Sequence, residues 1–278
     1  MATCQPAIDP FVDIYLINLA SRPDRRAFME AQFNRLGLTA KYIRATSPAD
    51  LSAEQLQRYC NPARGEWLEP GALCCSLSHL ETMRHIVNAS AEYALVLEDD
   101  VVLSERLPAV LSAIEDSRPP FDILRVETVI QSQRMLPSSA GTLVGVEILR
   151  TFSWPGGSAG YIISRAAAKT VIDSGELKHK AADQALLDPY EPLARRLSLR
   201  QCNPGLVVQT DRLKSAEVPD MGSDITHGSR DDAERPYFWR RLPFVVVRWV
   251  RRDIIVGAQK AWFQYVRGAK KQFIPFLP

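Results

Sequence analysis

The stretch that decides the fold is Tyr93-Ala94-Leu95-Val96-Leu97-Glu98-Asp99-Asp100, an apolar run that ends in three consecutive carboxylates. Its length and composition are typical of a strand buried on both faces of a parallel sheet. Ligands of open α/β sheets bind beyond the carboxyl ends of the strands, where this acidic triplet would emerge. Three adjacent acidic groups repel one another unless a cation neutralises them. The stretch therefore predicts a site for Mg2+ or Mn2+, and a solvated acidic turn is the alternative.

Strand and helix patterns alternate on the N-terminal side of this run. Residues 13–19 and 41–45 are rich in β-branched and aromatic residues, which predicts two strands. Between them, Ser21 predicts a helix N-cap with Asp24 as its reciprocal partner, and Gly37 predicts the end of the helix. The strand–helix–strand order favours an α/β fold with a mostly parallel, Rossmann-like central sheet and helices on both of its faces.

The remaining chain continues this alternation less regularly. Helices are predicted over residues 71–87, from Ser164 to near Gly175, and over residues 181–187, and strands over residues 121–126 and 161–163. Residues 127–150 show no clear pattern, residues 156–160 predict a flexible glycine-rich loop, and residues 203–232 predict a longer loop.

Composition places the chain among globular proteins. Its 278 residues are 46% hydrophobic and 24% charged, which is enough apolar material for a large core. No basic-then-apolar leader opens the chain, and no run approaches the roughly 18 apolar residues of a transmembrane helix. The five cysteines lack C-x-x-C spacing, so we expect reduced thiols rather than disulfides or a zinc site. These features predict a cytoplasmic protein.

Charge divides the chain into two expected domains, residues 1–234 and a basic, aromatic tail at residues 235–278. The tail has ten basic residues against one acid, a net charge of +9, so the rest of the chain carries −7. Aromatic residues interleaved with these cations predict a helical tail on an anionic membrane surface, at the inner face of the cytoplasmic membrane. A helix packed on the body is the alternative. Nucleic acid is not an expected partner, because no recognised nucleic-acid module accompanies the tail.

Four blocks of sequence, followed by two weaker echoes, lie in order along residues 12–227. They are Ile17-Asn18-Leu19 with Arg22-Pro23-Asp24-Arg25-Arg26, Gly71…Cys75…Leu77-Ser78-His79-Leu80, Leu97-Glu98-Asp99-Asp100, and Gly160-Tyr161-Ile162-Ile163-Ser164-Arg165, with the echoes Asp183-Gln184-Ala185-Leu186 and Ser223-Asp224-Ile225. Together they resemble glycosyltransferase family 25, the bacterial lipooligosaccharide glycosyltransferases whose relatives include the collagen galactosyltransferases. Cys74 departs from the pattern, since a small residue, often glycine, is expected there.

The resemblance implies a specific activity. It implies a GT-A fold, a UDP-sugar donor (typically UDP-galactose), a Mn2+ or Mg2+ cofactor, inversion at the anomeric carbon and a lipopolysaccharide-type, lipid-linked glycan acceptor. Two other functions stay open. A nucleotidyltransferase of similar architecture is disfavoured, because no glycine-rich loop follows the first strand. A catalytically silent GT-A protein that binds only glycan or membrane is disfavoured by the intact acidic triplet.

The metal ligands are expected within this triplet. Glu98 and Asp100 have the i, i+2 spacing of the D-x-D motif of GT-A enzymes, and an extended segment points both side chains the same way. We expect Asp100 to bind the metal directly and Glu98 to assist through the ribose or a metal-bound water. His227 is the candidate third metal ligand, from a late loop. Asp99 points oppositely and is placed with the donor-binding residues.

The donor is expected at the junction of the first strand and helix. Helix N-termini attract anions, so we expect Arg22 and Arg25 to contact the diphosphate, the alternative being that they pair with nearby acids or solvent. Asn18, at the strand end, is a candidate partner of uracil or ribose. Ser78 and His79 match the second block, which implies a donor-site role, although a lone helical histidine is more often structural.

An inverting transfer needs one base to take the proton of the acceptor hydroxyl. Asp183 is the catalytic candidate, because it opens a short helix after the glycine-rich loop and matches a later acidic position of the family. Glu127 and Asp122 are the runners-up. Capping of the helix is the alternative role of Asp183.

Overall fold

The computed structural model describes residues 11–213, 219, 221–222 and 233–278. His227 and Ser223-Asp224-Ile225 lie outside the described residues. The first half of the chain forms β1 (Val12–Asn18), α1 (Pro23–Leu36), β2 (Lys41–Arg44), α2 (Ala53–Tyr59), α3 (Pro70–Val87), β3 (Tyr93–Glu98), β4 (Val101–Leu103) and α4 (Leu107–Ser117).

The second half adds both strands and helices. These are β5 (Ile123–Arg125), β6 (Glu127–Thr128), β7 (Ser132–Leu143), β8 (Val146–Thr151), β9 (Gly160–Ser164), α5 (Arg165–Ser174), α6 (Ala182–Leu187), β10 (Leu199–Asn203), β11 (Val207–Gln209), α7 (Phe238–Trp249), α8 (Val256–Tyr265) and β12 (Lys270–Phe273). A π-helical segment, Val250–Ile255, joins α7 to α8.

A nine-stranded sheet organises the described chain, in the order β12-β7-β8-β10-β5-β9-β3-β1-β2. The pairs β1–β2, β1–β3 and β5–β10 are parallel, and the other five pairs are antiparallel. Six strands therefore run in one direction, and β8, β9 and β12 run in the other. The predicted α/β class is confirmed, but the sheet is mixed. Strand β9 is the main difference, since it inserts antiparallel between β3 and β5.

Helices cover both faces of this sheet, as predicted. Alternate residues of β3 point to opposite faces. Leu95 and Leu97 pack into a core with helices α1 and α4, whereas Ala94 and Val96 pack into a second core with α3, α5 and α6. This double burial explains why β3 is a continuous apolar run.

The first helix begins one residue later than the Ser21 cap predicts. Pro23 occupies the first helical position, so Arg22 is the N-cap residue and no side chain caps the helix. Proline suits this position because its missing N–H group would have no partner there. The predicted end is confirmed, since Gly37 adopts a left-handed conformation with φ of 65°.

Two parts of the sheet were not predicted from the sequence. Residues 127–150, which lack a clear pattern, contain most of the β7–β8 hairpin and its turn. They also contain β6, which pairs with β11 outside the nine-stranded sheet. The basic tail is helical over α7 and α8, as predicted, but its end returns to the sheet, where β12 pairs antiparallel with β7. Among the described residues, no helix is both long and apolar enough to cross a bilayer.

Candidate functional site

The acidic triplet emerges at the carboxyl end of β3, where β1 also ends. The parallel register places Ile17 beside Glu98, so the next residue of each strand, Asn18 and Asp99, meet at this edge. The Asn18 amide donates to Asp99 Oδ2 over 2.7 Å. The residues predicted from two separate blocks are therefore in contact because of the strand pairing.

Asp99 is buried and holds two neighbouring side chains in place. Its Oδ1 atom accepts a hydrogen bond from Arg25 Nη1 over 2.8 Å, and both side chains of this ion pair are almost fully buried. Arg25 also donates to the carbonyl oxygens of Met221 and Gly222. Because both oxygens of Asp99 bind protein groups, its place is beneath the site, where it orients Asn18 and Arg25.

Asp100 has the most unusual environment of the three acids. Its Oδ1 atom is buried and has no hydrogen-bond partner among the described residues. Arg25 Nη1 lies 3.8 Å from Oδ2, a long ion pair. Burial, and then the charge of Glu98, raise the pKa of Asp100 to about 7. At neutral pH this carboxyl group is therefore poised between its neutral and charged forms, which favours a cation as its partner.

Glu98 belongs to a hydrogen-bonded chain that reaches helix α3. Its Oε1 atom lies 3.2 Å from His79 Nε2 and accepts a bond from Ser158 Oγ over 3.0 Å. His79 Nδ1 lies 2.8 Å from the hydroxyl of Tyr161, so with the His79 proton on Nε2 the Tyr161 hydroxyl is the donor. Burial pushes the pKa of Glu98 upward, but His79 and Ser158 hold it below its ordinary value. Glu98 is thus kept charged beside Asp100.

Cys75 adds a softer atom to this cluster. Its Sγ atom, a ring nitrogen of His79 and a carboxylate oxygen of Glu98 all lie within 4.8 Å of one another. Burial, followed by the charge of Glu98, raises the pKa of the Cys75 thiol well above its usual value. The thiol is therefore neutral at physiological pH, and the charged donor atoms of the cluster are carboxylate oxygens.

The glycine-rich loop before β9 makes backbone hydrogen bonds to two acidic side chains. Gly156 and Gly157 have φ of 83° and 82°, a conformation that favours glycine. The Gly157 N–H donates to Asp183 Oδ2 over 3.1 Å, and the Ala159 N–H donates to Glu127 Oε2 over 3.1 Å. The loop therefore contacts two of the acidic candidates for a base, Asp183 and Glu127, and it also carries Ser158.

A cleft of about 770 Å3 opens over these groups. Glu98 and Ser158 form part of its floor, and Asp183 and Trp154 also line it. The end of β11, the residues after it and the tail complete the lining, with Gln209, Asp211, Arg212, Phe244 and Arg248. The cleft extends from Glu98, at the end of β3, to Phe244 and Arg248 on α7. It therefore has room for a ligand that reaches well beyond the acidic triplet.

Asp183 is the base candidate that reaches the cleft. Its two oxygens accept the backbone N–H groups of Gly157 and Gln184, at 3.1 and 2.8 Å. Burial raises its pKa, which makes the carboxylate a better proton acceptor. Helix α6 begins at Ala182 and its N-cap is Ala181, so Asp183 is not the N-cap residue.

The two runners-up lie elsewhere. Glu127 has no exposed surface, is paired with Arg125 at 3.1 Å and does not line the cleft. Burial raises the pKa of Glu127 above its ordinary value. Asp122 precedes β5 and therefore lies at the amino end of that strand, where it accepts the Ser198 N–H over 2.7 Å. Neither residue is placed to meet an acceptor hydroxyl in this cleft.

Comparison with known proteins identifies the family. Residues 11–186 match glycosyltransferase family 25 (LPS biosynthesis protein). The chain belongs to glycosyltransferase family 25. The resemblance inferred from the four sequence blocks is thereby confirmed.

Curated members of family 25 are similar to this chain over different shares of their length. The lipooligosaccharide biosynthesis protein lic2B of Haemophilus influenzae is 25% identical over 213 residues, which cover 73% of this chain and 78% of that protein. The lacto-N-neotetraose biosynthesis glycosyltransferase LgtB of Neisseria gonorrhoeae is 27% identical over 244 residues, 82% and 85% of the two chains. Procollagen galactosyltransferase 1 of Danio rerio is 26% identical over 181 residues, 60% of this chain but 29% of that protein.

The structure brings most, but not all, of the predicted site residues of this family 25 chain together. Ser78 is a neighbour of the site on α3, but its hydroxyl donates to the Cys74 carbonyl and accepts the Thr46 N–H. Arg22 donates to Asp24 and to the Met221 carbonyl at the rim. A donor-binding role for either residue stays a prediction, as does metal binding by His227.

Several residues at the site were not predicted. Ser158 and Tyr161 hold Glu98 and His79, and Trp154 and Gln209 line the cleft. Ser158 lies inside the glycine-rich loop and Tyr161 inside the fourth sequence block, so the sequence marked both segments. It did not predict that these side chains would contact Glu98 and His79, because those contacts depend on the antiparallel insertion of β9 beside β3.

Proposed function

We propose that this protein is a metal-dependent, inverting glycosyltransferase that transfers galactose from UDP-galactose to a lipopolysaccharide-type glycan. The observation that carries the proposal is a buried oxygen of Asp100, at the end of β3, that has no hydrogen-bond partner among the described residues. It lies beside a cleft that Glu98 and Asp183 line. Membership of family 25 and the names of the bacterial relatives support the reaction class and the acceptor class.

The donor atoms fit a divalent cation of the Mg2+ or Mn2+ type. They are hard carboxylate oxygens, and one of them has no partner among the described residues. Asp100 would bind the cation, and Glu98 would assist from the same edge. Such a cation supplies neutralisation of the charge that builds on the diphosphate as the glycosidic bond breaks. The raised pKa of Asp100 agrees with this, because binding a cation would favour its charged form.

The rest of the edge orients the donor. Asn18 is held by Asp99 and also donates to the carbonyl of Arg22, over 3.2 Å, so its side chain has one orientation. Arg25 is fixed by Asp99 beneath the site, and its positive charge lies between the triplet and the carbonyl groups of Met221 and Gly222. These groups would bind the nucleotide in a preset geometry, which reduces the entropy cost of reaching the transition state.

Asp183 would accept the proton of the acceptor hydroxyl during its attack on the anomeric carbon. Each carboxylate oxygen of Asp183 accepts one backbone N–H and retains another lone pair. The two N–H groups fix the carboxylate, and burial makes it more basic. The proton would thus move from the acceptor oxygen to a group that is held toward the cleft.

The proposal is tested by incubating the purified protein with Mn2+, a panel of UDP-sugars and deacylated lipooligosaccharide, and measuring UDP release. We expect UDP-galactose to be preferred and the product to have the opposite anomeric configuration by NMR. Asp183→Asn should lower turnover by roughly 10²- to 10⁴-fold, as expected for loss of a general base. Asp173→Asn, at an exposed carboxylate on α5, is the matched control and should change little.

Other outcomes would contradict the proposal. Release of pyrophosphate from a nucleoside triphosphate and a sugar phosphate would show a nucleotidyltransferase. Binding of UDP-galactose without any turnover across a range of glycans would show a catalytically silent protein. Full activity of Asp183→Asn would exclude Asp183 as the base while leaving the transferase assignment intact.

A further inference from the structure

Helix α7 faces the protein with Arg241 and Phe244, whereas several of its large apolar side chains face solvent. Arg241 is only 2% exposed, and it donates to the Gly65 carbonyl over 3.1 Å and pairs with Glu234 at 2.8 Å. Farther along the same segment, Arg251 pairs with Glu191 at 3.0 Å. Ion pairs therefore hold this segment on the body at Arg241 and at Arg251.

The opposite side of α7 is an apolar stripe. Trp239, Leu242, Val246 and Trp249 recur at spacings of three, four and three residues, which places them on one side of the helix. Trp239 is 80% exposed and Val247, at the edge of the stripe, is 65% exposed. A surface helix normally buries such a stripe against its own core. Here Arg241 and Phe244 lie on the core-facing side, and the stripe remains exposed to solvent.

The orientation of this stripe is fixed at both ends of the tail. The rings of Phe263 and Phe152 stack with centroids 3.7 Å apart, and strand β12 is part of the central sheet. At the other end, Phe244 packs on Gly65 so closely that a Cβ atom there would lie 2.7 Å from the ring. The apolar side therefore faces outward while both ends of the tail are packed against the rest of the protein.

Cations surround the stripe and indicate what covers it. Residues 235–278 carry a net charge of +9 against −7 for the rest of the chain, and exposed arginines include Arg240 and Arg252. The exposed aromatic residues Trp262 and Tyr265 continue the apolar surface along α8. Tryptophan and tyrosine beside clustered cations are the composition of helices that lie in the interface of anionic membranes.

We propose that the outward side of α7 and α8 inserts into an anionic lipid surface and that the membrane lies one helix diameter from the catalytic cleft. Phe244 and Arg248, on the inward side of α7, line that cleft. A helix with its side chains is about 10–12 Å across, so the cleft opens close to the lipid headgroups. Resting on the proposed transferase function, this placement selects an acceptor sugar carried on a lipid in the same membrane.

The proposal is tested by flotation of the full-length protein with vesicles, in the absence of any donor. Vesicles of phosphatidylcholine with phosphatidylglycerol should bind the protein, and those of phosphatidylcholine alone should bind it much less. Binding should weaken as salt rises, because the Debye length falls from about 10 Å at 0.1 M to about 3 Å at 1 M.

Variants separate the stripe from general surface hydrophobicity. The triple variant Trp239→Ser, Val246→Ser, Trp249→Ser should lose at least about tenfold in partition to the anionic vesicles. Leu56→Ser with Val144→Ser, at exposed apolar positions outside the tail, is the matched control and should bind as wild type does. Circular dichroism and UDP release should be the same in both variants and the wild type.

Orientation is tested with bromine-labelled lipid, which quenches nearby tryptophan fluorescence. Replacing Trp239, Trp249 and Trp262 by Phe should remove most of the quenching, whereas replacing Trp154, in the cleft, should not.

Three results would overturn the proposal. They are absence of binding to anionic vesicles, equal binding by the triple variant, and a dimer by light scattering that the triple variant converts to a monomer, since a second copy would then cover the stripe. Because flotation needs no turnover, its failure would leave the transferase proposal standing. Flotation without UDP release would support the membrane proposal and contradict the transferase proposal.

Discussion

Replacing Asp100 by Asn should stabilise the metal-free protein at neutral and alkaline pH while abolishing transfer. Burial and the charge of Glu98 raise the pKa of Asp100 from 3.8 to about 7, so the native state binds this proton more tightly than the unfolded chain does. A difference of about three pH units corresponds to about 4 kcal/mol, at about 1.36 kcal/mol per unit.

The sign of the pH dependence follows from this preference. The contribution of Asp100 to native stability is greatest below pH about 4 and falls as the pH rises to about 7, because the native state holds the extra proton in that range. The Asn variant lacks this loss. An amide at the same site keeps a buried oxygen without a partner, which costs about 1 kcal/mol or more. The net stabilisation expected at pH 8 is therefore about 2–4 kcal/mol, and it should be about 2 kcal/mol smaller at pH 5.

Urea unfolding of both proteins in EDTA, at pH 5 and pH 8, measures this difference. Asp173→Asn, at an exposed carboxylate, is the control and should change the free energy of unfolding by less than about 1 kcal/mol. UDP release with Mn2+ is measured in parallel and should be lost in Asp100→Asn only. An Asn variant that is less stable than wild type at pH 8 would refute the electrostatic reasoning. An Asn variant with full Mn2+-dependent activity would refute the role of Asp100 as a metal ligand.

Two further predictions concern the groups around the triplet. Asp99→Asn leaves the buried charge of Arg25 without its main partner and should lower the free energy of unfolding by about 3–5 kcal/mol. Asp24→Asn, at an exposed pair, is the control and should change it far less, so equal losses in urea unfolding would contradict the argument. Gly157→Ala should lower both stability and turnover more than Gly37→Ala does. Both positions have positive φ, but only at Gly157 would a Cβ atom meet a neighbouring side chain, 2.5 Å away. Thermal unfolding and UDP release compare the two variants, and similar losses would contradict the steric explanation.

The sequence was sufficient for the main layers of the fold. The run of apolar residues before Glu98 is continuous because β3 is buried on both faces, and this requirement is visible in the composition itself. The ends of α1 and α5 are visible for a similar reason. Gly37 and Gly175 occupy left-handed positions that favour glycine, so local chemistry marks them.

The sequence was less informative where long-range pairing decides the structure. Residues 127–150 have no simple period, and the β7–β8 hairpin that they help to form contains irregular register. Strand β9 was predicted, but not its antiparallel insertion beside β3, since a strand pattern has no direction. The composition of the tail predicted an amphipathic helix, but the side that faces outward depends on the ion pair between Arg241 and Glu234. Membrane binding by that side stays a prediction.

The acidic triplet shows the same division within three residues. By itself, the sequence determined that three carboxylates follow a buried strand, because a continuous apolar run is a local property of the chain. The expectation that Glu98 and Asp100 point the same way assumed an extended segment, but β3 ends at Glu98, and Asp99 and Asp100 lie in a turn. Only the tertiary structure decided their separate roles. Asp99 meets Arg25 and Asn18, Glu98 meets His79, and Asp100 keeps an oxygen without a partner among the described residues. These partners come from other elements of the fold, and the charge state of a carboxyl group depends on what surrounds it, which no local pattern records.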